Sequence, residues 1–247
     1  MPNTPGTGPL PTIVLVHGAW YSPEHWGPLR AALGDVPTVT VDLASTGTDP
    51  AELTDMTDDA ALIRETVDAI DGPVMVVAHS YGGIPVTEAL THAPNVTRLV
   101  YVTSFQLDVG DSLMSSIGGW APDWWEFDHE AGVMGIARPV EAFLHDVPAA
   151  EAAEAAGRMR LQSIRSFEQR LGNAAWRTIP STYVVTTADA AIPPELQREM
   201  GRRCERVHEL PTSHSPFLAA TEELAALLRG ELGDGAGVPV PPATVTR

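Results

Sequence analysis

The 247-residue chain contains no lysine, and all 15 of its basic residues are arginine. That absence excludes a catalytic ammonium or a Schiff base, because arginine stays protonated and cannot stand in. Cysteine occurs once, at Cys204. An intrachain disulfide is therefore excluded, and a reducing cytoplasm is the compartment the composition fits. No window approaches the roughly 20 consecutive apolar residues of a membrane span. The opening MPNTPGTGPLP lacks the basic and apolar regions of a secretory signal. Positive charge is scarce: the formal net charge is -17, which repels nucleic acid and anionic membrane surfaces and makes neither a partner. GTG at residues 6–8 has no strand before it and no helix after it, so it is no phosphate loop. His129 and His145 show no ligand spacing of the HExxH kind, so neither a metal nor a cofactor is implied.

What is present is alternation. TIVLVH (12–17), TVTVDL (38–43), PVMVVAH (73–79), RLVYVT (98–103) and TYVVTT (182–187) are β-branched runs of strand length, the signature of strands buried on both faces of a parallel sheet. ERVHEL (205–210) reads as a more exposed edge strand. Helical spacing marks Thr57 to Ile70, with Thr57 as its cap, and then Ile84 to His92 and Thr221 to Leu228. The acidic run TDPAELTDMTDD (48–59) reads as a solvated loop and helix start. Together these predict a doubly wound α/β fold with a mostly parallel sheet. Residues 12–107 and 178–232 form its core, between flexible segments at 1–11 and 233–247. Residues 108–177 form a helical cap that holds an Ala/Glu-rich helix over about 149–171. Trp120, Trp124 and Trp125 in this cap, with Trp20, are candidates to line a substrate pocket, although cap tryptophans also serve as a cap's own core.

Within VVAHSYGG (76–83) a buried strand ends at Ser80 and a helix follows at once. A serine is a weak nucleophile until a base takes its proton. The strand before it, the helix after it and the small residues Ala78 and Gly82 two positions to either side fit a strained nucleophile elbow rather than a plain turn. Asp189, directly after the strand at 182–187, is the candidate acid, with Asp108 as its competitor. His214, in PTSHSPF, is the candidate base. An oxyanion hole needs two backbone N–H groups: Tyr81 offers one, and HGAW (17–20) the other, with Ala19 placed first and Trp20 the alternative. His17 either bonds within that loop or satisfies other backbone groups. His79 has a packing role, because neighbours on a strand face opposite ways.

HGAW, VDLASTGTDP (41–50), AHSYGG, SFQLDVGDS (104–112), DAAIPPE (189–195) and SHSPF (213–217) resemble, in order, the landmarks of the α/β-hydrolase superfamily. The likeness is to the branch of small methylesterases, carboxylesterases and α-hydroxynitrile lyases. It departs by one residue at the elbow, where Ala78 stands in place of the usual glycine. The resemblance implies an α/β-hydrolase fold with a helical cap and a triad of Ser80, His214 and Asp189. The lyases of this branch rely on a lysine near the histidine, whereas Ser215 stands there and the chain has no lysine, which argues against cyanohydrin cleavage. The reading is a serine esterase acting without a cofactor on a small, partly apolar carboxylic ester. Two alternatives stay open: a thioesterase, lactonase or acyl-transfer tailoring enzyme, and a ligand-binding protein on a hydrolase scaffold. Oligomeric state is not readable from the sequence.

Overall fold

A computed structural model of the chain describes residues 10–233. The flexible ends expected over 1–11 and 233–247 thus fall almost wholly outside the described residues. Strands occur, in chain order, at β1 (Thr12–Val16), β2 (Thr38–Val41), β3 (Thr46–Gly47), β4 (Val74–His79), β5 (Val96–Val102), β6 (Trp125–Asp128), β7 (Val133–Ile136), β8 (Leu161–Ser163), β9 (Ser181–Thr186) and β10 (Arg206–Leu210). Six of them form one sheet in the order β10-β9-β5-β4-β1-β2, and every pairing in it is parallel. The apolar runs explain this arrangement. VMVVAH of β4 and STYVVT of β9 are buried along their whole length, and each aliphatic side chain so covered contributes roughly 1.5–3 kcal/mol. Within this sheet, only the edge strand β10 exposes most of its residues.

From β1 the chain steps out to the edge at β2, returns across β1 to β4, and continues through β5, β9 and β10 in the opposite direction. Winding therefore reverses between β1 and β4, and their carboxyl ends open a crevice. Right-handed crossovers place the helices on opposite faces either side of that reversal. Helix Gly27–Leu33 packs on helix Thr221–Gly233, and helix Met56–Asp68 packs on Gly83–Ala89. The cap of helix 56–68 is Asp55 rather than Thr57: the Asp55 carboxylate accepts the Thr57 N–H at 3.1 Å, and Thr57 already lies in the first turn.

The segment between β5 and β9 carries helices, and three strands of it join β3 in a small sheet absent from the sequence-based expectation. β3, β8, β7 and β6 pair in that order, all antiparallel. The helix expected over 149–171 is accordingly broken into helix Ala149–Gly157, strand β8 and helix Ile164–Glu168. The buried amide of Gln162 accounts for the break. It accepts a bond from Thr46 Oγ1 and donates to Ser45 Oγ and Ser166 Oγ, and pairing of β8 with β3 brings it to the first two of these partners.

Candidate active site

Ser80 directly follows β4 with φ of 52°, the left-handed region that costs a non-glycine residue roughly 1–3 kcal/mol. The surroundings hold it there. Its carbonyl accepts bonds from Ser104 Oγ at 2.8 Å and the Phe105 N–H at 3.0 Å. The two residues that follow Tyr81 must be glycine for steric reasons. A Cβ on Gly82 would stand 2.5 Å from the His17 carbonyl oxygen, and one on Gly83 would collide with Ser104 Oγ and stand 2.6 Å from the Phe105 carbonyl oxygen. Gly18, on the opposite wall of the crevice, approaches just as closely: a Cβ there would lie 2.8 Å from both His79 Nδ1 and Ser80 Cβ. His17 braces this loop through two backbone groups, donating from Nδ1 to the Gly18 carbonyl at 2.8 Å and accepting the Leu43 N–H on Nε2 at 3.1 Å, and its Nε2 also lies 3.6 Å from the Asp42 carboxylate.

Asp189 stands just beyond β9, where it meets His214. His214 Nδ1 bonds Asp189 Oδ2 at 2.7 Å. The same oxygen accepts Thr103 Oγ1 at 2.5 Å, Thr186 Oγ1 at 3.0 Å and Gln197 Nε2 at 3.0 Å, while Oδ1 accepts the N–H groups of Ala191 and Ile192 at 2.7 and 3.0 Å. Burial works to raise the Asp189 pKa, but the facing His214 charge and these donors outweigh it and bring it down to about 2. Asp108 is elsewhere. Its carboxylate bonds the exposed Arg177 guanidinium at 2.6 Å, which lowers its pKa.

The turn carrying His214 is held from three sides. Ser213 N–H donates to Asp146 at 2.6 Å, Ser213 Oγ donates to the Phe143 carbonyl at 2.9 Å, and Ser215 Oγ shares a 2.6 Å bond with the Tyr21 hydroxyl. With Nδ1 engaged by Asp189, Nε2 is the nitrogen a serine hydroxyl can use.

Ser80 and His214 share one cavity of about 430 Å³ with Ala19, Trp20 and Tyr81. Trp120, Trp124 and Trp125 line it too, although Trp120 is 74% exposed. Trp20 is the hub of its aromatic wall. Its ring centroid lies 5.9 Å from those of Trp124, Trp125 and Phe143 and 5.8 Å from that of Phe167, separations typical of favourable edge and offset contacts. Trp20 also has a positive φ, 66°. Trp176, by contrast, donates to the Leu107 carbonyl away from the cavity and lies under two arginines.

Two residues escaped the sequence reading. His79 does more than pack, because its Nε2 donates to the His214 carbonyl at 2.9 Å. Asp59 corrects the picture of a solvated acidic run: its side chain is fully buried and accepts bonds from Ser45 and Tyr81. Its i,i+4 spacing with the buried Ile63 is the one available signal. No group of three His, Cys, Asp or Glu residues among the described residues is placed to hold a metal. No helix among them is long and apolar enough to cross a membrane.

Known proteins share this fold. A hydrolase of Aspergillus novofumigatus, Alpha/beta hydrolase nvfD, is 27% identical, with 91% of this chain and 97% of that protein covered. A pyrethroid hydrolase from Sphingobium faniae JZ-2 superposes with a TM-score of 0.77 at 21% identity, covering 92% of this chain and 98% of that one. The Arabidopsis methylesterase MES16 superposes with a TM-score of 0.79 at 19% identity, covering 91% and 100%. Residues 13–227 match the family described as the Alpha/beta hydrolase family, and the chain belongs to that family.

Proposed function

We propose that the chain is a cofactor-independent serine hydrolase of small carboxylic esters with an apolar portion. One observation carries this reading: the buried Asp189 carboxylate bonds His214 at 2.7 Å on the wall of a cavity that also holds the strained Ser80. In this mechanism His214 Nε2 takes the Ser80 hydroxyl proton as Oγ bonds to the ester carbonyl carbon, and the carbonyl electron pair moves onto oxygen. Asp189 holds the imidazole in one tautomer and stabilises its charged form. Backbone N–H groups of Tyr81 and Ala19, or of Trp20 in place of Ala19, donate to the oxyanion, each contributing about 3 kcal/mol. Collapse expels the alcohol with the proton from His214 and leaves an acyl-serine. Water then enters, gives its proton to His214 and releases the acid by the same steps in reverse.

The cavity's chemistry supports a neutral, apolar substrate. Among the described residues, Asp123 and His214 are the ionisable side chains on its aromatic and aliphatic lining besides Tyr81, and no arginine among them stands there to receive a carboxylate. The names of similar proteins point the same way, to a methylesterase and a pyrethroid hydrolase. A panel of esters, lactones and acyl thioesters assayed with wild type and Ser80→Ala tests the reading. Ester turnover that Ser80→Ala abolishes is expected; ester turnover that survives the substitution contradicts it.

A further inference from the structure

Asp59 is fully buried, yet it takes no part in the proton path through His214. Burying a carboxyl costs several kcal/mol unless donors converge on it, and here three do. Oδ1 accepts the Ser45 N–H at 2.9 Å, and Oδ2 accepts Ser45 Oγ at 2.5 Å and the Tyr81 hydroxyl at 2.7 Å. The network has one direction. Ser45 Oγ gives its proton to Asp59 and accepts from Gln162 Nε2 at 2.9 Å; the other Gln162 amide proton goes to Ser166 Oγ at 2.7 Å, and Ser166 donates onward to the Ser163 carbonyl at 2.7 Å. Thr46 Oγ1 donates to Gln162 Oε1 at 2.7 Å, and the Ser163 N–H donates to the Ser45 carbonyl at 2.9 Å. One carboxyl thus links the elbow, the loop after β2 and the cap strand β8.

Tyr81 is the residue whose backbone N–H faces the reacting carbonyl in the mechanism above. Its side chain is fixed at the phenol end by Asp59, and its ring lies 5.4 Å from that of Phe167. Its main chain begins at the strained Ser80. The other wall of the oxyanion site meets the cap as well, since the Trp20 carbonyl accepts the Arg160 N–H at 2.8 Å and the Trp20 indole donates to the Met134 carbonyl at 3.1 Å. We propose that Asp59 is a positioning residue of the oxyanion hole. By holding the Tyr81 hydroxyl it fixes the direction of the Tyr81 backbone N–H, and through Ser45 and Gln162 it ties that direction to the seating of β8. This inference rests on the serine-hydrolase reading.

Tyr81→Phe, Asp59→Asn and the double variant test it. The readouts are kcat and KM on p-nitrophenyl butyrate, and affinity for an alkyl trifluoromethyl ketone, which adds to the serine as an oxyanion, against the matching methyl ketone. Each single variant loses roughly tenfold in kcat, less than the roughly hundredfold or greater loss on removing an oxyanion donor outright. KM and methyl ketone affinity stay within about twofold, trifluoromethyl ketone affinity falls in step with kcat, and the double variant is no worse than either single, as expected of residues acting as one unit. If Asp59→Asn does not fold, Tyr81→Phe and Ser45→Ala carry the same comparison. Unchanged kcat in Tyr81→Phe, a loss confined to KM, or multiplied losses in the double variant overturns the positioning role and leaves serine hydrolysis standing. A wild type inert to both the ester and the trifluoromethyl ketone overturns the hydrolase reading and this inference with it.

Discussion

His79 Nε2 donates to the backbone carbonyl of His214 at 2.9 Å, and the two rings lie 4.7 Å apart. The residue before the elbow serine therefore braces the main chain of the histidine that shares the serine's cavity. Donation to a carbonyl requires a proton on Nε2, while Nδ1 has no partner among the described residues and lies against Gly18. His79 is thus the neutral Nε2–H tautomer, in keeping with a pKa held well below the ordinary imidazole value by burial and by the neighbouring His214 charge.

His79→Phe keeps a ring against Tyr21 and Phe217 and removes that one bond. A neutral hydrogen bond contributes about 1 kcal/mol, so kcat/KM for a p-nitrophenyl ester falls about fivefold. The shape of its pH profile is that of wild type, because His79 does not ionise in the working range. A profile whose limbs shift in the variant would show that His79 titrates during turnover.

Asp189→Asn and Asp108→Ala separate the two candidate acids. The amide in place of Asp189 favours the wrong tautomer of His214 and lowers kcat by roughly 10⁴-fold. Asp108 pairs with Arg177 at the surface, where an exposed pair contributes at most about 1 kcal/mol to stability. Its removal leaves kcat/KM within about twofold of wild type. The reverse ranking would relocate the acid.

The depressed Asp189 pKa also sets a pH dependence of stability. In the folded chain this carboxyl titrates at about 2, against an ordinary 3.8, so the unfolded chain binds the proton more readily between those values. Its contribution to stability is complete above the unfolded value and is lost as pH falls through the folded one. Urea unfolding of wild type and Asp189→Asn at pH 3 and pH 6 checks the sign: the gap in midpoints narrows at pH 3. A gap that widens on acidification would contradict it.

Gly82→Ala sets a methyl against the His17 carbonyl oxygen, while Gly27→Ala meets nothing within 4 Å. Overpacking of this kind costs roughly 1–3 kcal/mol, so Gly82→Ala lowers Tm by several degrees and ester turnover with it. Gly27→Ala leaves both unchanged or raises Tm slightly, as expected of alanine in a helix. Equal melting points for the two variants would show that the elbow relaxes around the added methyl.

Much of this arrangement is legible in residue order. Val, Ile and Thr runs mark strands buried on both faces, and Ser80 and Asp189 each follow a strand of that kind while His214 follows the exposed edge strand β10, so sequence reading reaches the crevice residues from the strand ends. The cap sheet is not legible. β3 has two residues and β8 three, too short for periodicity, and they pair across more than a hundred positions of chain. Asp59 reads as one more acid in a charged run, because its partners Ser45 and Tyr81 come from two other segments. His79 is misread for a related reason. Alternation along a strand states which way a side chain leaves the sheet, but at the strand's end it does not state which loop arrives to meet it.

Reaction with a fluorophosphonate probe tests the central claim most directly. Rapid labelling at one probe per chain is the predicted result, with peptide mass mapping placing the phosphonyl group on Ser80, and with labelling abolished in Ser80→Ala and strongly slowed in His214→Ala. Absence of labelling in folded wild type, or a label on any other residue, would contradict an activated serine at this elbow.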